Sequence, residues 1–194
     1  MRERPILFSG PMVSAILNGT KYQTRRPVKP QPRDIDGMPI LEWPVAATDP
    51  AAVRFCPFGA PGDRLWVRET FAQNVPGCER GLSYRADHRD PRGDGPANPM
   101  RWRPSIHMPR WASRLTLEVT DVRVRRVADI GEADARAEGF GAGEDGRFAN
   151  PTAAARENAT EHVHNARQAF LLAWRSIYGH GNPWVWAITF RRVP

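Results

Sequence analysis

The sequence predicts an α+β fold, a small barrel or strongly curved sheet with helices at its periphery. Three observations carry that expectation. Strand-like alternation recurs at separated places, in Arg64–Ala72, Leu82–Ala86, residues 114–127 and Trp184–Phe190. Helical spacing is confined to short segments between them. The regular strand–helix rhythm that a doubly wound parallel sheet requires is absent. At 194 residues the chain can bury a real core, and it is expected to form one domain over 1–194 with irregular insertions near 30–55, 87–98 and 141–160.

The elements follow in chain order. Pro5-Ile6-Leu7-Phe8 reads as a short buried strand. Ser9-Gly10-Pro11 opens a helix with proline in its first turn, Met12, Val13, Ile16 and Leu17 give it an apolar side, and Gly19 closes it. Gly19–Arg26 reads as a loop leaving that helix. Residues 27–62 are proline-rich with one short strand near Leu41–Val45, and Gly59-Ala60-Pro61-Gly62-Asp63 is a turn. In Arg64–Ala72, Leu65, Val67, Glu69 and Phe71 share one face, and Trp66, Arg68 and Thr70 the other. Residues 87–101 read as a mobile loop. In 114–127 the parity of Leu115, Leu117 and Val119 gives way to that of Val122 and Val124, which predicts a β-bulge near Thr120-Asp121. Ile130–Glu138 reads as a short helix closed by Gly139, and 141–160 as a polar insertion. Val163, Ala166, Phe170, Leu171, Trp174 and Ile177 mark a helix over 160–178. The aromatic stripes of this helix and of the last strand read as core.

Charge narrows the partners. The formal net charge is +7, and Lys21 and Lys29 are the only lysines. Residues 1–33 carry seven basic and one acidic side chain, residues 101–127 seven and two, and residues 128–161 three and eight. Arginine-rich blocks facing one way attract an anion such as a nucleotide or nucleic acid. Two cysteines make no disulfide framework, and no leader or membrane-length apolar run occurs. The expectation is a cytoplasmic protein with no membrane partner. Metal ligation is not expected, because Cys56, Cys78, His88 and His107 lack ligand spacing and His162 and His164 diverge on a helix. No Walker loop or dinucleotide fingerprint occurs, and no cofactor is expected.

Two features carry chemistry. Gly19-Thr20-Lys21-Tyr22-Gln23-Thr24-Arg25-Arg26 collects an amine, a hydroxyl and two guanidiniums, and the like charges loosen the lysine's proton. A threonine hydroxyl becomes a nucleophile when a base takes its proton, and lowering a lysine by about 3 pH units for that task corresponds to about 4 kcal/mol. Glu69 is the second feature. A carboxylate on the buried face of a strand must pair with a cation or hold its proton. It is therefore either one half of a structural ion pair with a core arginine, or an acid at the floor of a pocket facing the basic loop. Ser105 and His107, two apart on an expected strand, would line the same cleft unless His107 is structural. Trp66 and Arg68, on the face opposite Glu69, are placed to stack on a base and meet a phosphate or simply to pack at the surface.

Gly19-x-Lys21-x-x-Thr24-x-Arg26 resembles the Gly-x-Lys-x-x-Thr-x-Arg signature of the ASCH domain, a member of the PUA-like β-barrel superfamily. Pro61–Thr70, Arg4–Gly10, Trp102–Val124 and Asn182-Pro183-Trp184-Val185-Trp186 resemble the larger phage- and prophage-associated ASCH proteins. The resemblance implies a PUA-like small mixed β-barrel with peripheral helices, its cleft lined by the signature loop. It also implies an amidohydrolase acting on N4-acetylcytidine or a related modified pyrimidine nucleoside, with Lys21 as base, Thr24 as nucleophile and Glu69 as proton donor. Two other readings share the basic cleft. One is an RNA- or modified-DNA-binding module using Arg25, Arg26, Arg68 and Arg110; the other is a ribonuclease.

Overall fold

A computed structural model describes residues 1–33, 36–38, 53, 55–88, 101–141 and 164–193. The strand expected near Leu41–Val45 and most of the three insertions lie outside these residues. The molecule is a mixed α+β structure built on a five-stranded sheet. Its strands are β1 (Glu3–Leu7), β2 (Gln23–Pro27), β3 (Arg64–Arg68), β6 (Thr116–Arg126) and β7 (Trp184–Val193), in the order β1-β3-β6-β7-β2. β1 and β3 run parallel; the other pairs are antiparallel. A ribbon of β4 (Phe71–Gln73) and β5 (Leu82–Tyr84) forms a separate two-stranded sheet.

Among the described residues no backbone ladder joins the outer strands β1 and β2, so the expected barrel is not closed. The two edges nevertheless meet, because the Arg26 guanidinium donates to the Leu7 carbonyl. Edges within reach of one side chain require a strongly curved sheet. A break of register between Val119 and Asp121 in β6, opposite Phe190 and Thr189, is the bulge that the parity change predicts.

Among the helices of the described residues, α1 (Gly10–Leu17), α2 (Glu132–Ala137) and α3 (Ala166–Tyr178) flank the sheet. Asn165 caps α3 by accepting from the Gln168 amide, so the helix starts later than its apolar spacing implies. The inner face of the sheet buries Leu65, Val67, Leu117, Val124, Trp186, Ile188 and Phe190 with Val13 and Ile16 of α1. A second core packs Phe140, Phe170, Trp174 and Val185 between α2, α3 and the outer face of β7. β7 is thus buried on both faces, which is why its sequence is apolar nearly throughout.

Three local expectations need correction. The basic segment is only partly a loop, since Thr24, Arg25 and Arg26 lie in β2, paired with Ile188, Ala187 and Trp186. The run Arg64–Ala72 is not one strand. It leaves the main sheet after Arg68, whose carbonyl accepts from Phe8 N, and Phe71 begins the ribbon. Ser105 and His107 lie in a single 3-10 turn instead of a strand, because Pro104 and Pro109 cannot donate to a ladder.

Candidate functional site

The basic segment folds from the end of α1 outward. Gly19 turns the chain with φ +76°, and the Lys21 amide donates to Ala15 O. Tyr22 N then donates to Ala137 O, which draws the end of α2 against the segment. The Lys21 side chain is buried, and all three hydrogens of its ammonium are taken. Gln23 O, Glu138 O and Glu138 Oε2 each lie 2.8 Å from Nζ. Burial pushes Lys21 below its ordinary value of 10.5; Glu138 pulls it back up, while Arg26 and Arg25 add to the lowering.

Glu138 is shared. Its other oxygen accepts from Arg25 at 3.2 Å, and Arg25 also reaches Asp134 at 2.7 Å. Lys21, Arg25, Glu138 and Asp134 therefore form one ion network, buried at three members and half-open at Asp134. Gly139 fits the chain around it: its φ is +93°, and a Cβ there would stand 3.3 Å from the Lys21 Cβ.

A cleft of about 190 Å³ opens beside this network, at the seam between β1 and β2. Leu7, Ser9 and Met12 form one side, and Thr24, Arg25, Arg26 and Glu138 the floor. The opposite wall is a chain of rings. Phe140 and Phe170 meet edge-on at 5.5 Å, Trp174 follows at 5.9 Å, and Tyr178 lies 4.4 Å beyond. A cavity of about 150 Å³ admits benzene, so the cleft suits one planar ring. The strand edge adds polarity. Tyr22 O accepts from Phe190 N and Val28 N donates to Trp184 O, so even-numbered residues of β2 face β7. Gln23 and Arg25 turn their peptide groups away from β7, and Gln23 O takes Lys21.

Glu69 is buried, as alternation predicts, and its partner is an arginine. Arg114 grips it with two bonds of 2.9 and 3.1 Å and holds Asp87 at 2.8 and 2.9 Å. The Arg114 guanidinium lies 4.0 Å from the Tyr84 ring centroid. Burial pushes Glu69 upward, and the Arg114 bonds offset part of that rise. Burial alone would lower Arg114, but its bonds to Glu69 and Asp87 hold it above the ordinary value. α1 stands between the two clusters. Gly10 and Ser14 on one side touch Ala86, beside Asp87, whereas Met12 and Ala15 on the other face the cleft and Lys21.

The structure thus brings Thr24, Arg25 and Arg26 to one cleft, holds Lys21 behind its lining through Glu138, and sets Glu69 in a separate network. Trp66, Arg68, Ser105, His107 and Arg110 lie outside the cleft lining. Arg68 and Arg110 flank the Trp66 ring at 5.4 and 5.9 Å, and Arg110 also pairs with Glu3. The sequence reading missed Glu138 and the role of α3. Glu138 was visible only as the last residue before a helix-closing glycine. The stripe read as core ends in Ile177, and both Ile177 and the next residue, Tyr178, are exposed, at 52% and 43%, and line the cleft. Among the described residues no group of His, Cys, Asp or Glu is placed to hold a metal ion, and no helix is long and apolar enough to cross a membrane. Comparison with protein-family models, curated proteins and solved structures finds no match to this chain.

Proposed function

We propose that the cleft takes the planar base of a modified pyrimidine nucleoside and that the protein hydrolyses an acyl amide on it, in line with the ASCH-like signature. The observation that carries this reading is Thr24 in the cleft floor, directly after Gln23, whose carbonyl accepts from a buried lysine; that lysine's carboxylate partner, Glu138, lines the same floor. In the neutral form Lys21 accepts the Thr24 proton as the hydroxyl oxygen attacks the acyl carbon. The C–N bond then breaks, and the departing exocyclic amine takes that proton back. Water cleaves the threonyl ester, releasing the carboxylate and restoring Thr24. The resemblance gives proton return to Glu69. The carboxyl group in contact with Lys21 is Glu138, and we assign the relay there. By the same reading the curved sheet, its edges meeting at Arg26 and Leu7, is a PUA-like barrel in outline.

The test is release of cytidine and acetate from N4-acetylcytidine by purified protein. Thr24→Val and Lys21→Met are each expected to lower kcat by on the order of 10²-fold or more. Unchanged turnover in both variants would sink the catalytic assignment. One observation favours a second reading, a binding module without chemistry: every hydrogen of the Lys21 ammonium is already engaged, as in a structural latch. That reading predicts calorimetric binding of the nucleoside, no product, and equal affinity in Thr24→Val.

A further inference from the structure

We propose that Asp134 is a positioning residue for the Lys21–Glu138 pair: from outside the cleft it draws Arg25 aside, and so sets how much of that guanidinium's charge bears on the pair. The inference rests on the proposed role of Lys21 as base and names what tunes it. Asp134 and Glu138 stand four apart at the end of α2, on one helix face, where two carboxylates repel each other. Arg25 is the cation that joins them. Its Nη2 lies 2.7 Å from Asp134 and its Nη1 3.2 Å from Glu138, whereas Glu138 lies 2.8 Å from Lys21. The guanidinium therefore leans on Asp134 and leaves Glu138 chiefly to the lysine. Gln23 holds this arrangement from the side. Its amide oxygen accepts from Arg25 at 2.5 Å, and its amide nitrogen donates to Asp134 at 3.4 Å.

The four charges differ in their access to water. Lys21, Arg25 and Glu138 are buried, so they act on one another with little screening. Asp134 is 44% exposed and does not line the cleft. Arg25 loosens the Lys21 proton, and the counter-charge on Asp134 offsets that effect. Arg26 loosens it too, and its guanidinium is held by the Leu7 carbonyl. The other charges on the packed elements are engaged elsewhere. α1 carries none; on β1, Glu3 pairs with Arg110 and Arg4 donates to Pro57 O; on β7, Arg191 pairs with Glu118. On α2, Glu132 pairs with Arg136 and caps α3, whose Arg167 donates to the carbonyls of Ile130 and Ala128. Arg175 and Arg192 are exposed.

Lys21 can be watched directly. Lys29 is the only other lysine and is exposed, so protein isotope-labelled at the lysine Cε shows two resonances, one of them an internal reference. Lys21 is titrated by NMR beside the pH profile of kcat/KM on N4-acetylcytidine. In Asp134→Asn its midpoint should fall by about half a pH unit, because Arg25 keeps its charge and loses its counter-charge. Asp134→Glu should restore the midpoint, and Arg25→Gln should move it upward. Salt at about 0.5 M should shrink the Asp134→Asn shift, since water reaches that carboxylate. The acid limb of kcat/KM, where Lys21 must lose its proton, should move with the resonance. On that limb Asp134→Asn should gain about threefold relative to its own plateau. A midpoint that Asp134→Asn leaves unmoved or raises overturns the inference, as does a fall that Asp134→Glu does not correct or that Arg25→Gln shares. A midpoint that shifts as expected in a protein that hydrolyses nothing, or whose acid limb stays put, defeats Lys21 as the base and leaves the role of Asp134 standing.

Discussion

Glu138 and Glu69 are both buried carboxylates held by cations, yet they sit in opposite kinds of site. Glu138 holds a lysine, whose charge burial disfavours, and it lies in the floor of a cleft. Glu69 holds an arginine, which keeps its proton throughout, and that arginine is already divided with Asp87. Burial loosens the lysine's proton, so a lysine–carboxylate pair can exchange one; an arginine–carboxylate pair can only orient. Burial of an acid therefore does not by itself mark chemistry; the identity of its partner does.

Removing one member of each pair sharpens the contrast most. Glu138→Ala leaves the Lys21 ammonium without its carboxylate and deprives Arg25 of one partner, at an expected cost of about 3–5 kcal/mol in urea unfolding. The double change Lys21→Met with Glu138→Leu should recover much of that loss, because the uncompensated charge is gone. If the single and double variants are equally unstable, the pair is not the energetic unit drawn here. Glu69→Gln should cost less, about 1–3 kcal/mol, because Arg114 keeps Asp87 and a quarter of its side chain reaches water.

Gly139→Ala tests how the first network is held in place. The substitution forces a Cβ into φ +93° and against the Lys21 Cβ, an expected cost of about 1–3 kcal/mol. It should also displace the amine, so activity should fall by more than in Glu69→Gln. A Gly139→Ala protein with wild-type stability and turnover would show that the fit around Lys21 is slack.

What could be read in advance follows from which interactions are local. The β6 bulge shows in the parity of Val119 and Val122, and the burial of Glu69 in its alternation with Val67 and Phe71. Its partner does not show, since Arg114 is 45 positions away and any of many arginines has the right chemistry. β2 reads as a loop because Gln23, Thr24 and Arg25 are all buried and so lack a polar–apolar rhythm. Their strand state comes from the β7 ladder, a tertiary effect that overrides local preference. The Lys21–Glu138 pair spans 117 positions and is set by Tyr22 N reaching Ala137 O, an interaction that no local pattern encodes.

The smallest effect, and the one that separates the two sites most cleanly, is the dependence of stability on pH. Lys21 has a lowered value when folded, so the unfolded chain binds more protons and stability rises with pH up to its ordinary 10.5. Glu69 has a raised value when folded, so the folded chain binds more protons and stability falls as pH climbs from 4.5 through that value. The stability gap between wild type and Lys21→Met should therefore widen in wild type's favour on the alkaline side. The gap between wild type and Glu69→Gln should narrow as pH rises from the acid side and then level off. Measured as unfolding midpoints across pH, a gap for Glu69→Gln that grows with pH would mean that Arg114 outweighs burial. Glu69 would then be an ordinary depressed carboxylate, and the two networks would differ only in place.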